Sequence, residues 1–145
     1  MNIPTQLEAY IAAEESYLDG AVIADENSHG DWMYILLEGR AKLKKKTPDG
    51  DMVIDRLKAG NIFGEMNLFD TSRSSRFATL VADGPVVVGV LDIRKLHQDW
   101  IALSPSLRAL IVSLIRKRYE AVSTYVTMML NLHHKRRSPS TPSDA

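Results

Sequence analysis

The chain has 145 residues, 45% of them hydrophobic and 25% charged, and its net charge is zero; that is one soluble domain's worth of chain with a single substantial core. It holds no cysteine, which excludes disulfides, thiolate catalysis and cysteine-ligated zinc. The N-terminus lacks the basic start and apolar run of a signal peptide, and no apolar stretch is long enough to cross a bilayer, so a cytoplasmic protein is expected.

The first predicted element is a helix. Pro4 precedes a capping-box pattern, Thr5-Gln-Leu-Glu8, and Leu7, Tyr10 and Ile11 follow at helical spacing, which predicts a short amphipathic helix over residues 6–15. The texture then changes. All eight glycines lie between Gly20 and Gly89, and Gly20, Gly30, Gly39, Gly50 and Gly60 recur about ten residues apart. Between them run the strand-like segments Ala21–Ile23, Trp32–Leu37, Ala41–Lys45 and Met52–Leu57, the last two joined by a Thr-Pro-Asp-Gly turn signal. Ile62-Phe63, Phe77–Ala82 and Pro85–Leu91 add further strand text. Short strands at this spacing predict an antiparallel sandwich or barrel, such as a jelly-roll-like double-stranded β-roll, over residues 18–91.

Helical periodicity returns over residues 92–132. Asp92 caps a short helix containing Ile93, Leu96 and Trp100, and Ser104-Pro105 is an N-cap followed by proline at the first helical position. No Gly or Pro follows until Pro139, so one helix of about thirty residues is expected. It carries two apolar rows. Leu107, Leu110, Ile111 and Leu114 suit packing on the β-structure. Val112, Ile115, Tyr119, Val122, Val126 and Met129 step three, four, three, four, three, an a/d seam that predicts a homodimer. Charge is uneven: residues 104–145 hold seven basic and two acidic side chains, and residues 1–103 hold eleven and sixteen. Residues 133–145 read as a basic, Ser/Pro-rich disordered tail; on its own it would bind nucleic acid weakly, so a nucleic-acid partner is not expected.

One segment breaks the strand text: Phe63-Gly64-Glu65-Met66-Asn67-Leu68-Phe69, then Arg73 and Ser75-Arg76-Phe77-Ala78-Thr79. A carboxylate and two guanidiniums among serines suit a ligand with hydroxyls and a negative charge. With Val22-Ile23, Gly30-Asp31, Tyr34-Ile35, Gly39 and Leu57–Gly60 upstream, the chain resembles the cyclic nucleotide-binding domains of the catabolite activator and protein kinase A regulatory-subunit type, from about residue 6 to residue 130. The resemblance implies that residues 1–132 form a single domain whose phosphate-binding cassette includes Gly64, Glu65, Met66, Asn67, Ser75, Arg76, Phe77 and Ala78. It gives Glu65 the ribose hydroxyl and Arg76 the cyclic phosphate. Arg76 stands eleven residues after Glu65 and Arg73 eight after it, either side of the family's usual spacing; Arg76-Phe-Ala-Thr favours Arg76, and Arg73 is the other register. Asn67 and Phe77 replace residues that are usually small. Ser123, Thr124 and Thr127 could offer hydroxyls to the base from the long helix.

The ligand this implies is cAMP, with cGMP second, sensed by a regulatory module without a helix-turn-helix and relayed to the long dimer helix. A downstream protein partner is expected but not named by the sequence. The alternative is a dimerisation or protein-interaction module with a degenerate nucleotide pocket. No metal and no enzymatic activity are expected: the four histidines lack ligand spacing, and neither a nucleophile elbow nor a Walker loop is present.

Overall fold

The computed structural model describes residues 5–26, 32–65 and 78–137. Among the described residues, six strands form one antiparallel sheet: β1 Ile11–Tyr17, β2 Val22–Ala24, β3 Tyr34–Thr47, β4 Gly50–Lys58, β5 Ile62–Phe63 and β6 Thr79–Leu91. The order is β1-β6-β3-β4, with β2 also on β6 and β5 also on β3. Helix α1 spans Thr5–Glu8, α2 Ile93–Ala102 and α3 Pro105–Arg137. The chain divides into two compact units, Met1–Arg108 and Ala109–Ala145.

The start of β3 is buried on both faces. Tyr34 and Leu36 enter a core with Ile23, Ala24, Leu57, Phe63, Leu80, Ala82, Val86 and Val88. Met33 and Ile35 point the other way, into a second cluster with Leu91, Tyr10, Ile93 and Leu96, as strand alternation requires. Further along, the core-facing residue is Ala41, an odd step from Leu36. The register against β6 shifts between Leu36 and Arg40, so a bulge resets the alternation. Gly39 makes it possible. Its φ is +85°, and a Cβ there would lie 2.3 Å from the Pro85 carbonyl oxygen, so no side chain fits. Trp32–Leu37 and Ala41–Lys45 read as two strands because of this irregularity; they are parts of one. Likewise Pro85–Leu91 and the described part of Phe77–Ala82 form the single strand β6, turning at Gly84 with φ +83°.

The expected helix over 6–15 is a correction. Only Thr5–Glu8 is helical, and Ile11–Tyr17 is β1, so the roll begins before residue 18. Ala-Ala-Glu-Glu favours helix locally, but these residues pair with β6 from Val86 to Leu91, and this ladder overrides propensity. The entry to β1 is tied to α2: the Asp92 N–H donates to the Tyr10 carbonyl at 2.7 Å and Lys95 Nζ to the Ala9 carbonyl at 3.0 Å. The Tyr10 hydroxyl donates to Asp99 Oδ2 at 2.5 Å, a bond that raises its pKa above the usual tyrosine value.

Both later helix starts stand where their caps predict. The Lys95 N–H donates to Asp92 Oδ1 at 3.2 Å, and the Leu107 N–H to Ser104 Oγ at 3.2 Å. Along α3, Leu107, Leu110 and Leu114 are 42%, 56% and 62% exposed and Ile111 is half-buried, whereas Val126 is buried and the rest of the Val112–Met129 row is half-buried. Both rows satisfy the helical period, so period alone cannot rank them. No helix among the described residues is long and apolar enough to cross a membrane.

Candidate functional site

Strand β5 is two residues long and is placed by a tight return from β4. The Gly60 N–H donates to the Leu36 carbonyl at 2.8 Å, the Leu36 N–H to the Asn61 carbonyl at 2.9 Å, and the Lys58 N–H to Asn61 Oδ1 at 3.0 Å. This brings Phe63 opposite Tyr34 in the ladder. Gly64 follows, buried, with φ +96°, a conformation that strains any residue with a Cβ. The turn at Gly64 releases the chain from the strand, and Glu65 takes up helical backbone, half-buried.

The far end of the interrupting segment is anchored in the same core. Ala78 is 1% exposed and Thr79 7%, and Leu80 packs in one cluster with Phe63. Gly64-Glu65 and Ala78-Thr79 are therefore the two described ends of one cassette, each rooted in a strand of the roll. Met66, Asn67, Arg73, Ser75, Arg76 and Phe77 lie outside the described residues. Ser123, Thr124 and Thr127 belong to the second unit; the Thr127 hydroxyl donates to the Ser123 carbonyl at 3.0 Å within the helix, the back-bonding usual for threonine there.

Glu26 escaped the sequence reading. It is 7% exposed; its N–H donates to Thr79 Oγ1 at 3.0 Å, its Oε1 accepts the Lys46 N–H at 3.0 Å, and its Oε2 lies 3.2 Å from Lys45 Nζ. A buried carboxylate of this kind is stable because backbone donor and cation answer it together. It clamps the end of β2 to β3 and to Thr79, hence to the cassette's exit. Its local sequence carries no signal for this; only Thr79, inside the Arg-x-Ala-Thr text, could have pointed to it. Beside this clamp is a cavity of about 240 Å³ lined by Val22, Asp25, Glu26, Lys44, Lys46 and Thr79, among others; it includes neither Gly64 nor Glu65. Among the described residues, no cluster of three histidine or acidic side chains is placed to hold a metal ion.

The family model for the cyclic nucleotide-binding domain matches residues 14–98, more than half of the chain. The chain belongs to the cyclic nucleotide-binding domain family. Its curated relatives include a CRP-like cAMP-activated global transcriptional regulator of Mycobacterium tuberculosis, 26% identical over 100 residues that make up 68% of this chain and 43% of the regulator. The chain thus spans less than half the length of that relative. Among solved structures it is similar to the regulatory domain of Toxoplasma gondii protein kinase A co-crystallised with cAMP, with TM-score 0.58 and 27% identity over 72% of this chain and 38% of the other. An EAL enzyme in its cAMP-bound form shares the fold, with TM-score 0.69 and 20% identity over 85% of this chain and 32% of the enzyme.

Proposed function

We propose that this cyclic nucleotide-binding domain is a sensor rather than a catalyst, that it prefers cAMP to cGMP, and that it relays ligand state to the long helix α3 as a homodimer through Val112, Ile115, Tyr119, Val122, Val126 and Met129. The observation that carries the reading is the cassette's described frame: a positive-φ Gly64 delivers Glu65 at one end, and Ala78-Thr79 is rooted in the same core at the other. Glu65 accepts the ribose hydroxyl and Arg76 forks onto the cyclic phosphate, with Arg73 in solvent. One feature favours adenine: Phe77 has no hydroxyl to meet the guanine amino group. The expected discrimination is about 1 kcal/mol, one neutral hydrogen bond.

Calorimetric titration with cAMP and cGMP side by side tests this. Arg76→Ala should lower cAMP affinity roughly 30-fold or more, since unpairing a partly buried phosphate costs about 2–5 kcal/mol. Arg73→Ala should stay within about 0.5 kcal/mol of the parent. Loss of binding in Arg73→Ala alone would move the phosphate contact by three residues. Tighter binding of cGMP would reject the base preference. No binding of either nucleotide would leave a dimerisation or interaction module with a degenerate pocket.

A further inference from the structure

The outer side of the roll carries a feature that nucleotide sensing does not use. The β3–β6 register sets Arg40, Lys42 and Lys44 opposite Asp83, Val81 and Thr79, and the β3–β4 register sets Lys58 and Arg56 opposite Arg40 and Lys42. Their neighbours Ala41, Leu57, Leu80 and Ala82 are in the core, with Leu43 packed against it, so these residues point outward. Five cations share one side of a three-stranded ribbon; Lys46 continues the β3 row with Asp51 opposite it, and Lys44 and Lys46 line the cavity that also holds Asp25, Glu26 and Asp51. Like charges directly opposite each other destabilise a sheet. Here that happens twice, at Arg40–Lys58 and Lys42–Arg56. Asp83 answers two of the five, 3.5 Å from Lys42 Nζ and 3.6 Å from Arg56 Nη1. Among the described residues, Arg40, Lys44, Lys46 and Lys58 form no ion pair.

Such an arrangement persists against its own repulsion when an external anion supplies the countercharge. The same rows include Val22 opposite Val81 and Val53 opposite Lys44, 52% and 38% exposed. No aromatic side chain stands at these positions, so the face is no stacking platform for single-stranded nucleic acid, and it presents strands rather than a helix to a DNA groove. A broad cationic sheet face with small apolar side chains between the charges matches the headgroup layer of an anionic bilayer, where clustered Lys/Arg add their attractions and lysine stems lie along the surface while the ammonium groups reach out. We propose that this face, Arg40, Lys42, Lys44, Arg56 and Lys58, docks the protein on anionic phospholipid membranes. Asp83 limits the affinity by holding two of the cations.

Co-sedimentation of the full chain with vesicles tests the proposal. The parent should pellet with phosphatidylserine-rich vesicles at low salt, stay soluble with pure phosphatidylcholine, and be released by added salt. Each basic residue removed should cost about five-fold in partitioning. Arg40→Ala/Lys44→Ala/Lys58→Ala should therefore bind on the order of 100-fold more weakly, with its urea midpoint equal to or above the parent's because the Arg40–Lys58 like-charge pairing is relieved. Asp83→Asn should bind about five-fold more tightly, a gain that a merely structural role would not produce. The proposal is overturned if the parent ignores phosphatidylserine, or if the triple variant pellets like the parent while Lys135→Ala/Arg136→Ala/Arg137→Ala does not. It is also overturned if duplex DNA or polyglutamate binds the face more tightly than vesicles and is lost in the same triple variant, which would make the partner a polyanion of another class.

Discussion

The roll and the long helix use apolar residues in opposite ways. In the roll, large apolar side chains such as Ile35, Leu80, Val86 and Val88 are fully buried, and each is held in place by a ladder partner on a neighbouring strand. Along α3, Leu110, Leu114, Tyr125, Met128 and Leu132 are about half exposed or more. A strand's inner face is specified by pairing register, which moves every side chain together. A helix satisfies its own backbone bonds and leaves its faces free to choose partners. The roll therefore carries its stability internally, whereas α3 still has apolar surface to give to an assembly.

The comparison breaks most sharply inside the roll. Ile35→Ala, at a side chain with no exposure, should cost about 2–5 kcal/mol in urea denaturation; a cost below 1 kcal/mol would mean that the inner ladder does not hold the fold. Gly39→Ala should cost about 2–3 kcal/mol, because the backbone at φ +85° disfavours a Cβ and the Pro85 carbonyl blocks it. Next comes the half-buried row of α3. Val122→Glu with Val126→Glu should convert a dimer to a monomer in analytical ultracentrifugation. A parent that is already monomeric at high micromolar concentration would remove that seam from consideration. Smaller again is Ser104→Ala, about 1 kcal/mol for the lost cap. The smallest effect belongs to the exposed row: Leu110→Gln with Leu114→Gln should leave folding within about 0.5 kcal/mol of the parent. If it nevertheless dissociates the assembly while the Val122/Val126 pair does not, the dimer uses the exposed row instead.

The candidate site was legible to the extent that its residues sit together in the chain. Gly64 and Glu65 were recognisable because Phe63-Gly64-Glu65 resembles the start of the family's cassette, and Gly64 adopts a positive φ. Glu26 was invisible because its partners, Lys45, Lys46 and Thr79, reach it from other strands up to 53 residues away. The basic outer face was equally hidden. Lys42 and Lys44 read as ordinary solvated charges until the register set Arg56 beside Lys42 and Lys58 beside Arg40.

By itself, the sequence determined what depends on short spacing. The glycine and turn signals marked an antiparallel roll, Asp92 and Ser104-Pro105 set two helix starts to the residue, and the cassette text announced the family. Local chemistry decides each of these, since a cap or a turn needs only neighbours within a few positions. Tertiary structure decided the rest. Pairing with β6 turned a helix-favouring Ala-Ala-Glu-Glu into a strand; a bulge at Gly39 joined two apparent strands into one and reset which side chains face inward. On α3, two rows of equal periodicity came out with unequal exposure. In each case the deciding partner is distant in sequence, and its contribution exceeds the few tenths of a kcal/mol per residue that local propensity supplies.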